Sequence, residues 1–400
     1  MSKQSRLLPL ILASVGMVAG AGAVGARARA ATAAPAVRRV ATIVVPGRPL
    51  ASFDIGAVDS RGVYALSDRS NHGLDFFDAA TGRFIGRAGG FTGYDPAAGF
   101  DAAGPNGVVA VGPNEFWAGN GDSTVKVVDL RSRSIVASIP TGGHRRTDEM
   151  TYDPRDHLVA AVNNADDPPF ISFISSRTRR VLGKIVLDRA TDGAEQPAWD
   201  PVTELLYLSI PVLDKVKADG AVAVIDPRTR RLERYLPVHE CMPAGLAVGP
   251  RGNLLVGCSD DAVAAGFAPK TLVLDARSGR TVAVIRAVGG SDEVWYDPKA
   301  DFYYMAASGF PGGAVLGVVD ARTNRWLSNL PSGPHAHSVA ADPRSGRVFV
   351  PIAADPHNPS CPAGCIAVFA PAAQPVAGRG VGVHPNDRNL HSTRSTSPHF

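Results

Sequence analysis

Short apolar runs separated by polar turns fill most of this chain, and they keep a long, regular step. Six segments repeat one phrase, an apolar run followed by a polar turn residue and a Thr/Ser/Gly/Arg-rich turn: FFDAATGR, VVDLRSRS, FISSRTRR, VIDPRTRR, VLDARSGR and VVDARTNR. Their turn residues, Asp78, Asp129, Ser175, Asp226, Asp275 and Asp320, lie 51, 46, 51, 49 and 45 positions apart. A period of this size means one blade-sized unit copied along the chain. A second phrase keeps step with the first and sets a turn-forming residue between two apolar runs, at Ser60, Pro113, Pro154, Pro201, Pro250, Pro298 and Pro343. Each unit therefore reads as four short strands in up-and-down order.

Seven such units, with no 3.6-residue period among them, predict an all-β, seven-bladed β-propeller. A β-solenoid is the alternative, but its repeats are shorter. The seventh unit has a first hairpin (HSVAADPRSGRVFVPI) and a third strand (CIAVFA) and then runs into Pro371, so its fourth strand is missing. The one unassigned strand, Val40–Val45, precedes the first unit. Pairing it with the seventh blade closes the ring and removes the edges on which an open sheet aggregates. The propeller is thus expected over residues 40–370.

The ends read differently. Residues 1–30 carry Lys3 and Arg6, an apolar stretch from Leu7 to Val24, and two small-residue sites, Ala26-Arg27-Ala28 and Ala28-Arg29-Ala30. This is the pattern of a secretory signal peptide. An uncleaved anchor is the alternative, although the Gly- and Ala-rich stretch is short of the roughly 20 residues that span a bilayer. The expectation is an exported chain, periplasmic or secreted, with no membrane span after cleavage. Residues 371–400 are rich in Pro, Gly, Ser, His and Asn and read as a disordered tail; His384, His391 and His399 are spread too widely for a metal tract.

Charge then narrows the partners. The chain has 41 basic and 37 acidic residues. Four of the basic ones and none of the acidic ones fall in residues 1–30, which leaves 37 of each. A neutral mature protein with few aromatics and no basic run longer than pairs such as Arg145-Arg146 and Arg179-Arg180 has no electrostatic footprint for nucleic acid. The four cysteines, an even number in an exported chain, suggest two disulfides. The hairpin turning at Pro250–Asn253 brings Cys241 and Cys258 together, and Cys361 and Cys365 pin the CPAGC loop. A metal site from cysteine and His239 is the competing reading, although the spacing matches no zinc pattern.

The phrases VVDLRSRSIVASIPTGG, VIDPRTRRLERYLPV and VLDARSGRTVAVIRAVGG resemble the YVTN-type β-propeller repeat family, over most of residues 40–370. The resemblance implies an exported propeller and implies no single activity, since related propellers host lactonases, redox enzymes and binding proteins. Two positions depart from the family phrase: Ser175 stands where Asp is usual, and the seventh unit has Ala370.

Function in a propeller is usually carried where strand ends and loops converge on the central channel. Six places before each first-hairpin turn residue stand Asp54, Gly107, Asp148, Glu195, Ala244, Asp292 and His337; one place later stand Ile55, Val108, Glu149, Gln196, Gly245, Glu293 and Ser338. His335, His239 and Glu240 lie just before these columns, and Asn120, Asn163 and Asn164 just after second strands. The expected ligand-binding residues are Asp54, Asp148, Glu149, Asn163, Glu195, Asp292, Glu293, His335 and His337. Such a ring can hold a hard divalent cation such as Ca²⁺, supply a general acid or base, or simply line a wet channel.

Two classes of function follow. In the first, the chain is a binding or scaffold protein that takes a small molecule or an exported protein at the channel mouth. The long loops Ile210–Gly220, Ser259–Lys270 and Ala353–Cys365 suit a recognition face. In the second, it is a divalent-metal-dependent, lactonase-like hydrolase, distantly similar to the regucalcin and gluconolactonase type, with Glu149, Asn163 and Asp292 in the ligand places by residue type alone. No GxSxG, HExxH or P-loop motif is present. The runs Ser259–Asp261 and Asn163–Asp167 are candidate loop ligands or ordinary turn residues.

Overall fold

In the computed structural model, which describes residues 35–372, the strands gather into seven four-stranded antiparallel sheets. The first blade is β2 (Gly56–Val58), β3 (Val63–Asp68), β4 (Gly73–Asp78) and β5 (Phe84–Gly89). The second is β6 (Val108–Val111), β7 (Glu115–Asn120), β8 (Thr124–Asp129) and β9 (Ser134–Pro140), and the third β10 (Met150–Asp153), β11 (Leu158–Asn163), β12 (Phe170–Ser175) and β13 (Arg180–Val186). The fourth holds β14 (Pro197–Trp199), β15 (Leu206–Ile210), β16 (Asp219–Asp226) and β17 (Arg231–His239); the fifth holds β18 (Pro243–Val248), β19 (Asn253–Cys258), β20 (Thr271–Asp275) and β21 (Thr281–Ile285). The sixth is β22 (Val294–Asp297), β23 (Phe302–Ala307), β24 (Val315–Asp320) and β25 (Arg325–Pro331). The seventh takes β26 (Ala340–Ala341), β27 (Val348–Ile352) and β28 (Cys365–Pro371), completed by β1 (Val37–Val44) from the other end of the chain.

The first strands of the blades touch in cyclic order, β2, β6, β10, β14, β18, β22, β26 and back to β2, so the seven sheets form a closed propeller. Burial explains the residue pattern. Second strands such as β11 and β19 are covered on both faces by neighbouring blades and are buried throughout, whereas the outermost β13 alternates exposed and half-buried positions. Each seam between adjacent blades has its own apolar cluster. Phe76 and Phe116 meet between blades one and two, and Tyr64 stacks on Phe349 between blades one and seven.

The closing strand differs slightly from the expected Val40–Val45. It starts at Val37 because that side chain is fully buried in the seam between blades six and seven, and Val37 pairs with Pro371. Pro371 and Ala372, assigned above to the tail, belong to this closure: the Ala372 N–H donates to the Ala36 carbonyl at 2.8 Å. The signal segment, residues 1–30, and the rest of the tail lie outside the described residues.

Six turns between third and fourth strands share one device. The backbone N–H of the third residue of the turn donates to Asp78, Asp129, Asp226, Asp275 or Asp320 at 2.7–3.3 Å. In blade three the Ser175 hydroxyl takes the same bond at 3.2 Å, and the blade keeps its four strands.

The cysteines pair as Cys241–Cys258 and Cys361–Cys365, with Sγ–Sγ distances of 2.07 and 2.08 Å. Cys241 sits two residues ahead of β18, across from Cys258 at the end of β19. His239 pairs with Asp219 at an exposed strand end. Among the described residues no helix is long and apolar enough to cross a membrane.

Candidate functional site

Up-and-down order fixes which residues share a face. First strands begin, second strands end, and the long second-to-third loops lie at one face of the ring, called here the upper face; the tight Asp turns lie at the other. The column six places before the hairpin turns therefore converges at the upper end of the channel. Its backbones are pinned by their own blades: the N–H groups of Asp54, Asp148, Glu195 and Asp292 donate to the carbonyls of Ser67, Val162, Ser209 and Ala306.

Five of the expected residues form a polar cluster there with two arginines. Arg69, buried at the end of β3, binds Asp54 and donates to Asn106 Oδ1 at 2.6 Å. His337 lies 3.3 Å from the other Asp54 oxygen, is held through Nδ1 by the His335 carbonyl at 2.7 Å, and stacks flat on Phe53. Arg146 pairs with Asp148 at 2.8 Å. Glu195 and Asp292 have no ion-pair or side-chain hydrogen-bond partner among the described residues. They line a recess of about 460 Å³ with Arg146, Asn164, Asp192 and Asp260.

Electrostatics separate the paired from the unpaired groups. Burial alone would raise Asp54, but Arg69 and His337 hold it below its usual range. Burial raises Asp148 despite Arg146. Glu195 is pushed up to about 8 by burial and by the charges of Asp148 and Asp292, and Asp292 to about 6, chiefly by burial. Burial opposes the charge on His337, yet its bond to Asp54 and the Asp292 charge raise it to about 8.

The next column makes a second layer, deeper in the channel. Gln196 bridges blades: its Oε1 accepts from the N–H of Leu246 at 2.6 Å and of Val294 at 3.3 Å. Glu293 Oε2 accepts from Ser338 Oγ and the Val339 N–H, both at 2.8 Å. Glu149 is buried and makes no such bond among the described residues. Its place depends on Gly107, where a Cβ would meet the Glu149 Cα at 2.4 Å, so only glycine lets blades two and three approach this closely. Below this layer a chamber of about 350 Å³ runs between the first strands.

Two expected residues stand elsewhere. Asn163 ends β11 with its amide turned to the preceding connector, where Nδ2 donates to Ser123 Oγ at 2.9 Å and to Asp166 Oδ2 at 3.2 Å. Asp166 in turn accepts from the N–H groups of His144 and Arg145, so the Asn163–Asp167 run clasps the loop that carries Arg146. His335 occupies a left-handed turn (φ 50°) with its ring exposed, and contributes only its carbonyl. Glu149 lines the deeper chamber and Asp292 the recess at the mouth, while Asn163 keeps its Oδ1 buried without a partner among the described residues. Among the described residues no group of three His, Cys, Asp or Glu side chains could hold a metal. Ser259 caps a short helix, α1 (Asp260–Ala264), by accepting from the Ala262 N–H.

Arg69, Arg146, Asn106 and Phe53 were not among the expected residues. Arg69 follows β3 as Asn164 follows β11, so extending the second-strand-end column to blade one would have found it.

No protein-family model and no curated protein matches this chain. Among solved structures, a chain of Kuenenia stuttgartiensis hydrazine synthase is similar in fold, with a TM-score of 0.61 and 14% identity over 77% of this chain and 94% of that one. At this identity the likeness shows the seven-bladed propeller alone, and a propeller is a fold consistent with a binding or scaffold role. With 1644 chains of solved structures matching, the fold by itself selects no activity.

Proposed function

We propose that this chain is an exported binding propeller that takes a small, polar ligand, or the side chain of an exported protein, through a positively charged group at the upper channel mouth. The observation that carries the reading is the pair Glu195 and Asp292. Both face the recess without a partner, while Arg69 and Arg146 beside them are already occupied by Asp54 and Asp148. Ionising these unpaired, partly buried carboxyls costs stability, which holds their protons on, and a cationic group on a ligand supplies the partner that lets them ionise. The arginines and the Asp54–His337 pair hold the surrounding side chains still, which lowers the cost of binding.

The signal-like first 30 residues and the YVTN-type phrases support export, and the two disulfides fit an oxidising compartment. The test is a thermal-shift screen of amines, amino acids and amino sugars against the mature protein and the Glu195→Gln/Asp292→Asn variant. Cationic compounds are expected to stabilise the wild type and not the variant. A screen in which only neutral or anionic compounds stabilise, or in which the variant responds equally, overturns the reading.

A further inference from the structure

The chamber below the Glu149–Gln196–Glu293 layer is separate from the recess at the mouth and shares none of its lining residues. Its volume, about 350 Å³, lies at the small end of the roughly 300–1,000 Å³ typical of ligand pockets. The walls are apolar and aromatic, with Val58, Ala110, Met150, Trp199, Val248 and Trp295 among them. The inner end is polar. Gln196 and Glu293 are already committed to bonds with neighbouring blades. Glu149 is not: it is 7% exposed, lines the chamber, and its carboxyl makes no hydrogen bond or ion pair among the described residues.

We propose that this chamber binds a small organic cation, with Glu149 as its counter-ion and the Trp199 and Trp295 side chains on its walls. An aromatic wall with one carboxylate favours a cation over a neutral molecule of equal shape, since both the ring quadrupole and the carboxylate charge attract it. The chemistry is proton exchange. Burial and then the charges of Glu293, Asp292, Asp148 and Glu195 hold the Glu149 carboxyl well above its usual range. The proton on Glu149 leaves to solvent as the cation takes its place.

The experiment titrates the mature protein with choline and with 3,3-dimethylbutan-1-ol, its neutral isostere, following heat and tryptophan fluorescence in two buffers of different ionisation enthalpy. Choline is expected to saturate, to release a proton, and to bind at least about tenfold more tightly than the isostere; Glu149→Gln is expected to weaken it by about tenfold. Absence of saturation, equal binding of the isostere, or wild-type affinity in Glu149→Gln overturns the proposal. A response lost in Glu195→Gln and kept in Glu149→Gln puts the cation at the mouth, which supports that reading and overturns this one. Should Glu149→Gln fail to fold, Ala110→Phe narrows the chamber from its wall; loss of choline binding is expected, and retention overturns the proposal.

Discussion

His337 is held charged by a neighbour that another residue also claims, since Asp54 bonds it through one oxygen and Arg69 through the other. Its pKa of about 8 exceeds the ordinary 6.5, so the stabilisation is complete below about pH 6.5 and is lost as pH rises through 8. That shift is worth on the order of 2 kcal/mol. Glu195 and Asp292 act in the same direction by a different route. As acids raised to about 8 and about 6, they keep protons in the folded state that the unfolded chain has already released, and each weakens folding as pH climbs toward its raised value. Melting temperature is therefore expected to fall between pH 5 and pH 9, with Glu195→Gln flattening the slope and His337→Gln removing its upper part. Melts at half-unit pH steps check this, and a melting temperature that rises with pH sinks it. At this scale the sequence was half informative. The six-residue offset picked out Asp54, Asp148, Glu195, Asp292 and His337 because each N–H or neighbouring carbonyl is fixed at a strand entry. It could not place Asn163, whose amide turns toward its own connector, or His335, whose positive φ sends the ring outward. Arg69 and Arg146 were passed over although their partners are close in sequence, Asp54 in the same blade and Asp148 two residues on, because the six-residue offset sampled strand entries and neither arginine stands at one.

Turns are where the repeat was most readable and where its copies differ in stability. The Asp-type residue bonds a turn N–H in all six phrases, and the position four residues after it takes a left-handed conformation: Gly82 and Gly279 at φ 75° and 72°, but Arg133, Arg179, Arg230 and Asn324 at 53–55°. A side chain there carries a strain of roughly 1–2 kcal/mol, which glycine avoids at some cost in unfolded-state entropy. Arg230→Gly is expected to raise stability by about 0.5–1 kcal/mol in a denaturant titration. Gly82→Ala is expected to lower it by more, because the added Cβ also meets Ile43 Cγ1 at 2.9 Å. Equal effects of the two changes would mean that the turn conformation is not what separates them. Strand number and order were legible because each blade repeats its turn chemistry. The start of β1 was not, since Val37 is buried by a seam between blades six and seven, about 300 residues away in sequence, and nothing local marks it. The short α1 was missed for the opposite reason: five residues show no periodicity, and only the Ser259 cap marks its start.

Closure is a property of the whole ring, and it rests on noncovalent pairing between the two ends of the chain. β1 supplies the outermost strand of blade seven, and without it β28 presents an unpaired edge with buried Ile366 and Val368 beside it. The Cys241–Cys258 bridge reinforces blade five across a 17-residue separation; replacing both cysteines by serine is expected to cost about 3 kcal/mol in the chain-entropy account. The closing contact has no covalent bond, so its contribution can be tested by moving it. Ala36 and Ala372 are hydrogen-bonded neighbours and can be joined by a short linker. If the chain is then opened in the Ser278–Gly279 turn, on the face away from the mouth, it begins with β21 and ends with β20. Blade five then takes over the three-plus-one arrangement that blade seven has now, with every sheet pairing kept. Such a permutant is expected to melt cooperatively within a few degrees of the parent, because repeat proteins draw their stability from contacts between neighbouring units rather than from chain order. A chain begun at Val45 keeps its order but loses the pairing. It is expected to melt well below both and to elute as oligomers in size-exclusion chromatography. If the Val45 chain instead matches the parent, the ring is held by its seams alone and β1 is dispensable; if the permutant fails while the Val45 chain folds, chain order outweighs closure.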